Sequence, residues 1–305
     1  MEKTRWRVLA GLLAAATLFA AGAVTITLLK SPPASNSPGT SQGSGTARGG
    51  TPGVGSALAA VAVARTQAAS WVAQQVNPDE VIGCDPAMCP ALAAAHIQAN
   101  RLLVLDPGQP DPLGSEILLD TATLRAQFGP RLESVYAPVI LAAFGSGAAR
   151  VEVCFVPPQG AHTYLVQLAG DVAARKAAGT EMLRNHSIHA SPIASHQLIA
   201  GQVDTRLLVT LVTLAHSYPV DIISFGTNQA GASPGVPLRS AEIAGAPGPG
   251  STPAASVQTL RGFLSAQQPP YRPSAIVAVK TASRRPVLRV EYPAPSLLGL
   301  LGTHG

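Results

Sequence analysis

From Val8 to Leu29 the chain runs 22 residues without a charge, flanked by Lys3, Arg5 and Arg7 on one side and Lys30 on the other. At about 1.5 Å of rise per residue a helix of that length spans roughly 33 Å, the thickness of a bilayer's hydrocarbon core. A lone segment in lipid must satisfy its own backbone groups, so a helix is the form it has to take. Basic residues on the short N-terminal side stay in the cytoplasm, which places everything after Lys30 outside. The expected arrangement is a single-pass anchor in the cell membrane, with a cytoplasmic N-terminus and an extracellular bulk. A cleaved secretory signal ending near Ala21-Gly22-Ala23 is the competing reading. Its apolar region is ordinarily about 7–15 residues, whereas this run continues through Val24, Ile26, Leu28 and Leu29. Both readings export the remainder.

The net charge of +5 suggests a nucleic-acid or acidic-lipid surface until it is located. Five of the 21 basic residues (Lys3, Arg5, Arg7, Lys30, Arg48) and one of the 16 acidic residues (Glu2) precede position 59, leaving 16 against 15 beyond it. The exported part is nearly neutral and has no concentrated cationic footprint, so no nucleic-acid partner is expected. Cys84 and Cys89 fall in Cys-Asp-Pro-Ala-Met-Cys, on the oxidising side of the membrane, where a strand-to-helix turn can bring them within bridging range. They read equally well as small buried hydrophobes. Cys-x4-Cys without a second thiol or histidine pair gives no zinc site, and neither metal nor cofactor is expected.

Ser31 to about Ser56 is Ser, Gly, Pro, Thr and Ala with almost no large apolar residue, a disordered tether. Beyond it the pattern predicts an α/β chain of two small domains, 59–157 and 158–305. In the first, a helix over Ala59 to Gln75 precedes short strands at Glu80 to Cys84, Leu102 to Leu105, Ile117 to Leu119 and Arg150 to Phe155. In the last of these Val151, Val153 and Phe155 alternate with Glu152 and Cys154. A helix from Ala87 to Ala95 and a short one around Thr123 to Phe128 alternate with the strands, which argues for a mostly parallel sheet. In the second, one long helix covers Ala161 to Leu183 with Arg175 and Lys176 outward. Asp204 caps a nearly all-apolar helix from Thr205 to Ser217, expected to be central and buried. Strands follow at Val220 to Phe225 and Leu238 to Ile243, then a helix at Ala255 to Gln267 and a hairpin of Ser274 to Lys280 with Pro286 to Tyr292. The tail Pro293 to Gly305 is expected to be loosely held.

Trp71-Val72-Ala73, Val81-Ile82-Gly83-Cys84-Asp85-Pro86 and Phe144-Gly145-Ser146-Gly147-Ala148-Ala149-Arg150-Val151-Glu152-Val153 together resemble the extracytoplasmic C-terminal domain of actinobacterial multi-span membrane glycosyltransferases. The resemblance covers about 59–157 and implies a Rossmann-like domain outside the membrane. It implies no transferase activity, because that family's catalytic residues belong to a membrane-embedded half that has no counterpart here. Gly201-x-Val203-Asp204-x-Arg206-Leu207-Leu208, followed by Pro219-Val220-x-Ile222 and a glycine-rich turn, is similar to a domain related to zinc peptidases of the D-Ala-D-Ala carboxypeptidase type. Where those enzymes place metal-binding histidines this chain has Gly231-Ala232-Ser233-Pro234-Gly235 and Arg289-Val290-Glu291, with Glu242 near the acidic position. The likeness therefore implies a fold that has lost its metal.

No complete catalytic set emerges. Ser233 imitates a nucleophile elbow in spacing, but Pro234 removes the N–H an oxyanion hole would need. His186, His189 and His196 read as solvated, Asp106 and Asp111 as turn residues, and Gly145-Ser146-Gly147 as a turn into an edge strand. Asp221 is the one charge in a buried strand and must be paired or face a cleft. Asp204 with Arg206 and Asp221 with Arg239 are the expected internal pairs. A ligand-contacting cleft beside the Gly226 to Pro237 loop, drawing on Asp221, Asn228, Arg239 and Glu242, is the functional alternative. The function expected is a non-enzymatic binding or assembly module of the cell envelope, its partner a cell-wall glycan or a membrane protein. The alternative is a peptidase-like envelope hydrolase built on Asp221, Glu242 and that loop.

Overall fold

A computed structural model of the chain describes residues 54–226, 230–245, 252–280 and 286–301. The apolar run Val8 to Leu29, nearly all of the tether and Asn228 lie outside them. No described helix is long and apolar enough to cross a membrane.

The elements in chain order are α1 (Val54–Gln75), β1 (Ile82–Cys84), α2 (Cys89–Ala94), β2 (Leu102–Val104), β3 (Ile117–Asp120), α3 (Ala122–Phe128), β4 (Val139–Phe144) and β5 (Val151–Phe155). They continue as α4 (Ala161–Met182), β6 (Ile188–Ala190), α5 (Pro192–Ile199), α6 (Thr205–Ala215), β7 (Val220–Gly226), β8 (Ser240–Gly245), α7 (Pro253–Ser265), β9 (Ala275–Lys280) and β10 (Pro286–Glu291). Helix starts follow local chemistry. Thr121, Ser191 and Thr252 each accept a bond from the backbone N–H three residues on, and Pro192 and Pro253 occupy first-turn positions where no N–H is missed. Asp204 caps α6 by accepting from Arg206 N at 2.9 Å.

The chain is mixed α/β with two five-stranded sheets, ordered β2-β1-β3-β5-β4 and β6-β7-β8-β10-β9. Neither is mostly parallel. β1, β2 and β3 run parallel, but β4 turns back into β5 through a single helical turn at Gly147–Ala149, too short for a crossover. In the second sheet only β6 and β7 are parallel. The strand β4 is an addition to the sequence reading, and it rather than β5 is the sheet edge. The first sheet is covered on both faces. Ile82, Ile117, Leu119, Val151 and Val153 pack under α1 and α2, while Leu118 and Cys154 pack under α3 and the turn Leu132–Tyr136. This is why Glu152 and Cys154, which alternate with the apolar residues of β5, are buried as well. The second sheet packs one face against α5, α6 and α7 through Leu198, Leu207, Leu211, Leu260 and Leu264. Burial of each such side chain contributes about 1.5–3 kcal/mol, and α6 is the central buried helix its composition demands.

Residues 50–305 form one compact unit, and two seams join its sheets. At the first, the loop after β7 lies along the free edge of β4. Ala143 N donates to Gly231 O at 2.8 Å and Ser233 N to Leu141 O at 3.0 Å. Gly231 has φ +92°, and a Cβ there would stand 2.4 Å from the Phe144 ring, so no other residue fits. At the second, the segment after β10 runs between the sheets. Ala294 is fully buried and pairs with Val76, its N–H donating to Gln75 O. Pro293 O accepts from Arg206 Nη2 at 2.8 Å, and Gly299 N donates to Asp171 at 3.1 Å. The start of the tail is thus core rather than loosely held, because its backbone bonds to Gln75 and Asn77 where α1 ends.

Candidate functional site

The seam formed by the glycine-rich loop also closes a cleft of about 480 Å³. Arg175 of α4, Gln197 of α5, Ala200 just past its end, Gln202, and the loop residues Ala232 to Val236 with Leu238 line it. The helices approach closely enough to form this wall because Gly179 of α4 lies against Leu198, whose carbonyl oxygen would be 2.3 Å from a Cβ. Arg175 was expected outward and is instead 3% exposed. The buried stripe of α4 runs through Tyr164, Asp171, Arg175 and Met182, and the charge is tolerated because Nε donates to Asp171 Oδ2 at 2.8 Å and Nη1 to Gly201 O. Its Nη2 makes no hydrogen bond to a described residue. Gln197 donates from Nε2 to Phe225 O at 3.3 Å, which leaves its buried Oε1 without a hydrogen-bond partner. The cleft therefore has small walls and a cation already neutralised by Asp171, and the Gln197 oxygen without a partner is itself buried beneath its surface. A neutral ligand matches that chemistry better than an anion does.

The four residues proposed from sequence do not meet there. Asp221 lies 3.4 Å from His189 across the β6–β7 pair. Glu242 holds Arg289 at 2.7 Å and accepts from Ser224 at 3.4 Å. Both acids sit half-buried on the sheet face opposite the helices. Arg239 does not pair with Asp221. It is buried between the two sheets, donating from Nη1 to Tyr292 O at 2.8 Å and from Nη2 to Gln75 at 3.3 Å, with its guanidinium 5.8 Å from the centre of the Trp71 ring. Burial lowers its pKa to about 10. The Asp204–Arg206 pair forms as expected, through Nε at 3.0 Å and Nη2 at 2.8 Å. Burial opposes ionisation of Asp204, yet the Arg206 hydrogen bonds and charge outweigh it and hold the carboxyl below its ordinary range. Asp111 accepts from Leu113 N, as a turn residue does.

Cys84 and Cys89 are joined by a disulfide across the turn that follows β1. Inside that turn Asp85, fully buried, accepts from Ala87 N and Met88 N at 2.8 Å each and from the Thr121 hydroxyl. This is the point between β1 and β3 where the strand order reverses, the usual ligand crevice of a parallel sheet, and the chain's own groups occupy it.

One cluster was not anticipated. Asp120 and Glu152, 2% and 6% exposed, face each other across β3 and β5. Arg125 reaches Asp120 at 3.0 Å and Glu152 at 3.9 Å, and Arg150 binds Glu152. Burial, with a contribution from Glu152, raises Asp120 to about 7. Its Oδ1 has no hydrogen-bond partner, so nothing at that oxygen offsets the burial of the charge. Burial, then these two carboxylates, push the Cys154 thiol well up as well. The sequence signal was faint: one acid ending an apolar run and one inside another, 32 residues apart. Among the described residues no group of three or more His, Cys, Asp or Glu side chains is placed to hold a metal ion. No protein-family model, curated protein or solved structure matches this chain.

Proposed function

We propose that the chain is a single-pass membrane protein, held by Val8 to Leu29 with its N-terminus inside. Its globular part lies outside the cell as a non-enzymatic binding or assembly module for cell-wall or polysaccharide components. The observation that carries this reading is the Cys84–Cys89 disulfide, a bond kept in oxidising compartments and rare in the reducing cytoplasm. The near-neutral balance beyond position 59 and the cleft beside the glycine-rich loop add support. That cleft takes the place of a site on Asp221, Asn228, Arg239 and Glu242. The parallel trio β2-β1-β3 with α2 is what favours a Rossmann-like description of the first sheet.

Intact cells are treated with a membrane-impermeant thiol reagent, with and without an impermeant reductant. Cys84 and Cys89 should be labelled only after reduction and without lysis; labelling that requires lysis would overturn the topology. For binding, the purified full chain in detergent is presented to immobilised cell-wall glycan fragments alongside Ala200→Trp, which fills the cleft. Retention lost in the variant is expected. Retention equal in both, or absent in both, would sink the cleft as the binding site.

A further inference from the structure

Four strand edges end the two sheets, and three are protected. β2 and β6 are three residues each, too short to template another strand, and β4 is covered by Gly231 to Ser233. The fourth, β9, is six residues of Ala-Ile-Val-Ala-Val-Lys without Gly or Pro. It pairs with β10 on one side and with no described residue on the other. Val277 is 48% exposed, and Ala278 is exposed beside it. An unpaired edge of this length and composition is a template for a further strand. We propose that β9 is a docking site for an extended peptide segment of a partner protein, added as a sixth strand, with aliphatic residues at alternate positions and acidic residues at its ends.

Charge and shape select that occupant. Lys280 closes β9 and Arg272 precedes it, both exposed and neither in an ion pair with a described residue, while β9 itself carries no acid. Glu291, opposite Ala275, lies one strand further in. Beside the start of β9 a recess of about 170 Å³ opens between Leu264, Ser265, Arg272 and Ile276. A strand laid along β9 turns alternate side chains toward α7, so one aliphatic side chain reaches this recess while its carboxylate neighbours meet Arg272 and Lys280. Main-chain bonds then supply affinity, and recess and cations supply selectivity. A second copy of this chain is a poorer occupant, since it would bring its own Arg272 and Lys280 to the same edge.

The probe is a fluorescein-labelled peptide of alternating Val and Thr with two Glu at one end and two Asp at the other. A control peptide has Lys at all four charged positions. Anisotropy is followed with the full-length protein in detergent. Val277→Pro and Ala278→Pro are both made. Alternate residues of β9 direct their N–H toward β10 and outward, so one variant keeps the β9–β10 ladder and is recognised by an unchanged thermal midpoint. That variant should lose binding, and Arg272→Glu with Lys280→Glu should weaken it about tenfold, the loss expected for two reversed surface pairs. No binding of the acidic peptide, equal binding of the Lys peptide, or full binding by the stable proline variant would overturn the proposal. So would self-association abolished by the same proline, which would make the occupant a second copy.

Discussion

Gly231 and Gly235 bracket one loop with nearly the same positive φ, +92° and +94°, yet a Cβ meets the Phe144 ring at the first and open space at the second. Gly235→Ala should cost only the backbone term, about 1–2 kcal/mol, and Gly231→Ala that term plus the displacement of Phe144. Urea midpoints separate them, and equal losses would mean that the loop does not press on β4. Asp120 gives a test in pH. Its carboxyl holds a proton up to about 7 when folded, against an ordinary value of 3.8. Between those values the folded state binds the extra proton, so its contribution is complete at low pH and is lost as pH rises toward 7. Asp120→Asn keeps the shape without the titration. The wild-type thermal midpoint should fall relative to the variant from about pH 4 to pH 7 and stay level above. Parallel profiles across that range would exclude a raised Asp120. For Asp204→Ala, the buried Arg206 loses its partner, and the expected cost is about 3–5 kcal/mol by chemical denaturation.

The turn from β1 into α2 is short, anchored by the buried Asp85 and Met88, and closed by the disulfide over a sequence separation of five. By loop-closure entropy a ring of that size contributes about 2 kcal/mol, so the double variant Cys84→Ser with Cys89→Ser should unfold earlier by that amount. Reductant should shift the wild type equally and the variant not at all; a variant that still responds to reductant would need another explanation. This turn was half legible, since spacing permits a bridge but cannot require one. Spans were the most legible: α6, the β9–β10 pair and the long α4 lie close to the expected bounds, because long apolar-rich runs bracketed by turn residues mark their own ends. β4 went unread because Ala142 and Ala143 carry no strand preference and both strand faces are covered. Arg175 was misplaced for a related reason. A helical wheel ranks residues by polarity, whereas its neighbours Asp171 and the Gly201 carbonyl arrive from the same helix and from the end of α5, and only together make burial favourable. The cleft was legible as a loop composition, and its wall on α4 and α5 was not.

The boundary near 157 separates two sheets in sequence, yet the buried contacts cross it. Arg239 binds Tyr292 and Gln75 and stacks near Trp71, the Gly231 to Ser233 strap lies on β4, and Ala294 belongs to the core under α1. None of these is local, which is why composition and periodicity, with a separate pattern for each sheet, show two domains and not the seams between them: backbone bonds, the buried Arg239 and one alanine. If the seams transmit stability, the sheets must unfold together. In a Trp6→Phe background, fluorescence reports Trp71 of α1, and hydrogen exchange of the β7 and β8 amides reports the second sheet. Both should be lost at one urea concentration. Ala294→Asp then places a carboxylate at a position with no solvent exposure, an expected cost of about 2–5 kcal/mol, and the two probes should move down together. Should Trp71 respond while β7 and β8 keep their protection, the seam would carry no coupling and each sheet would stand as its own cooperative unit.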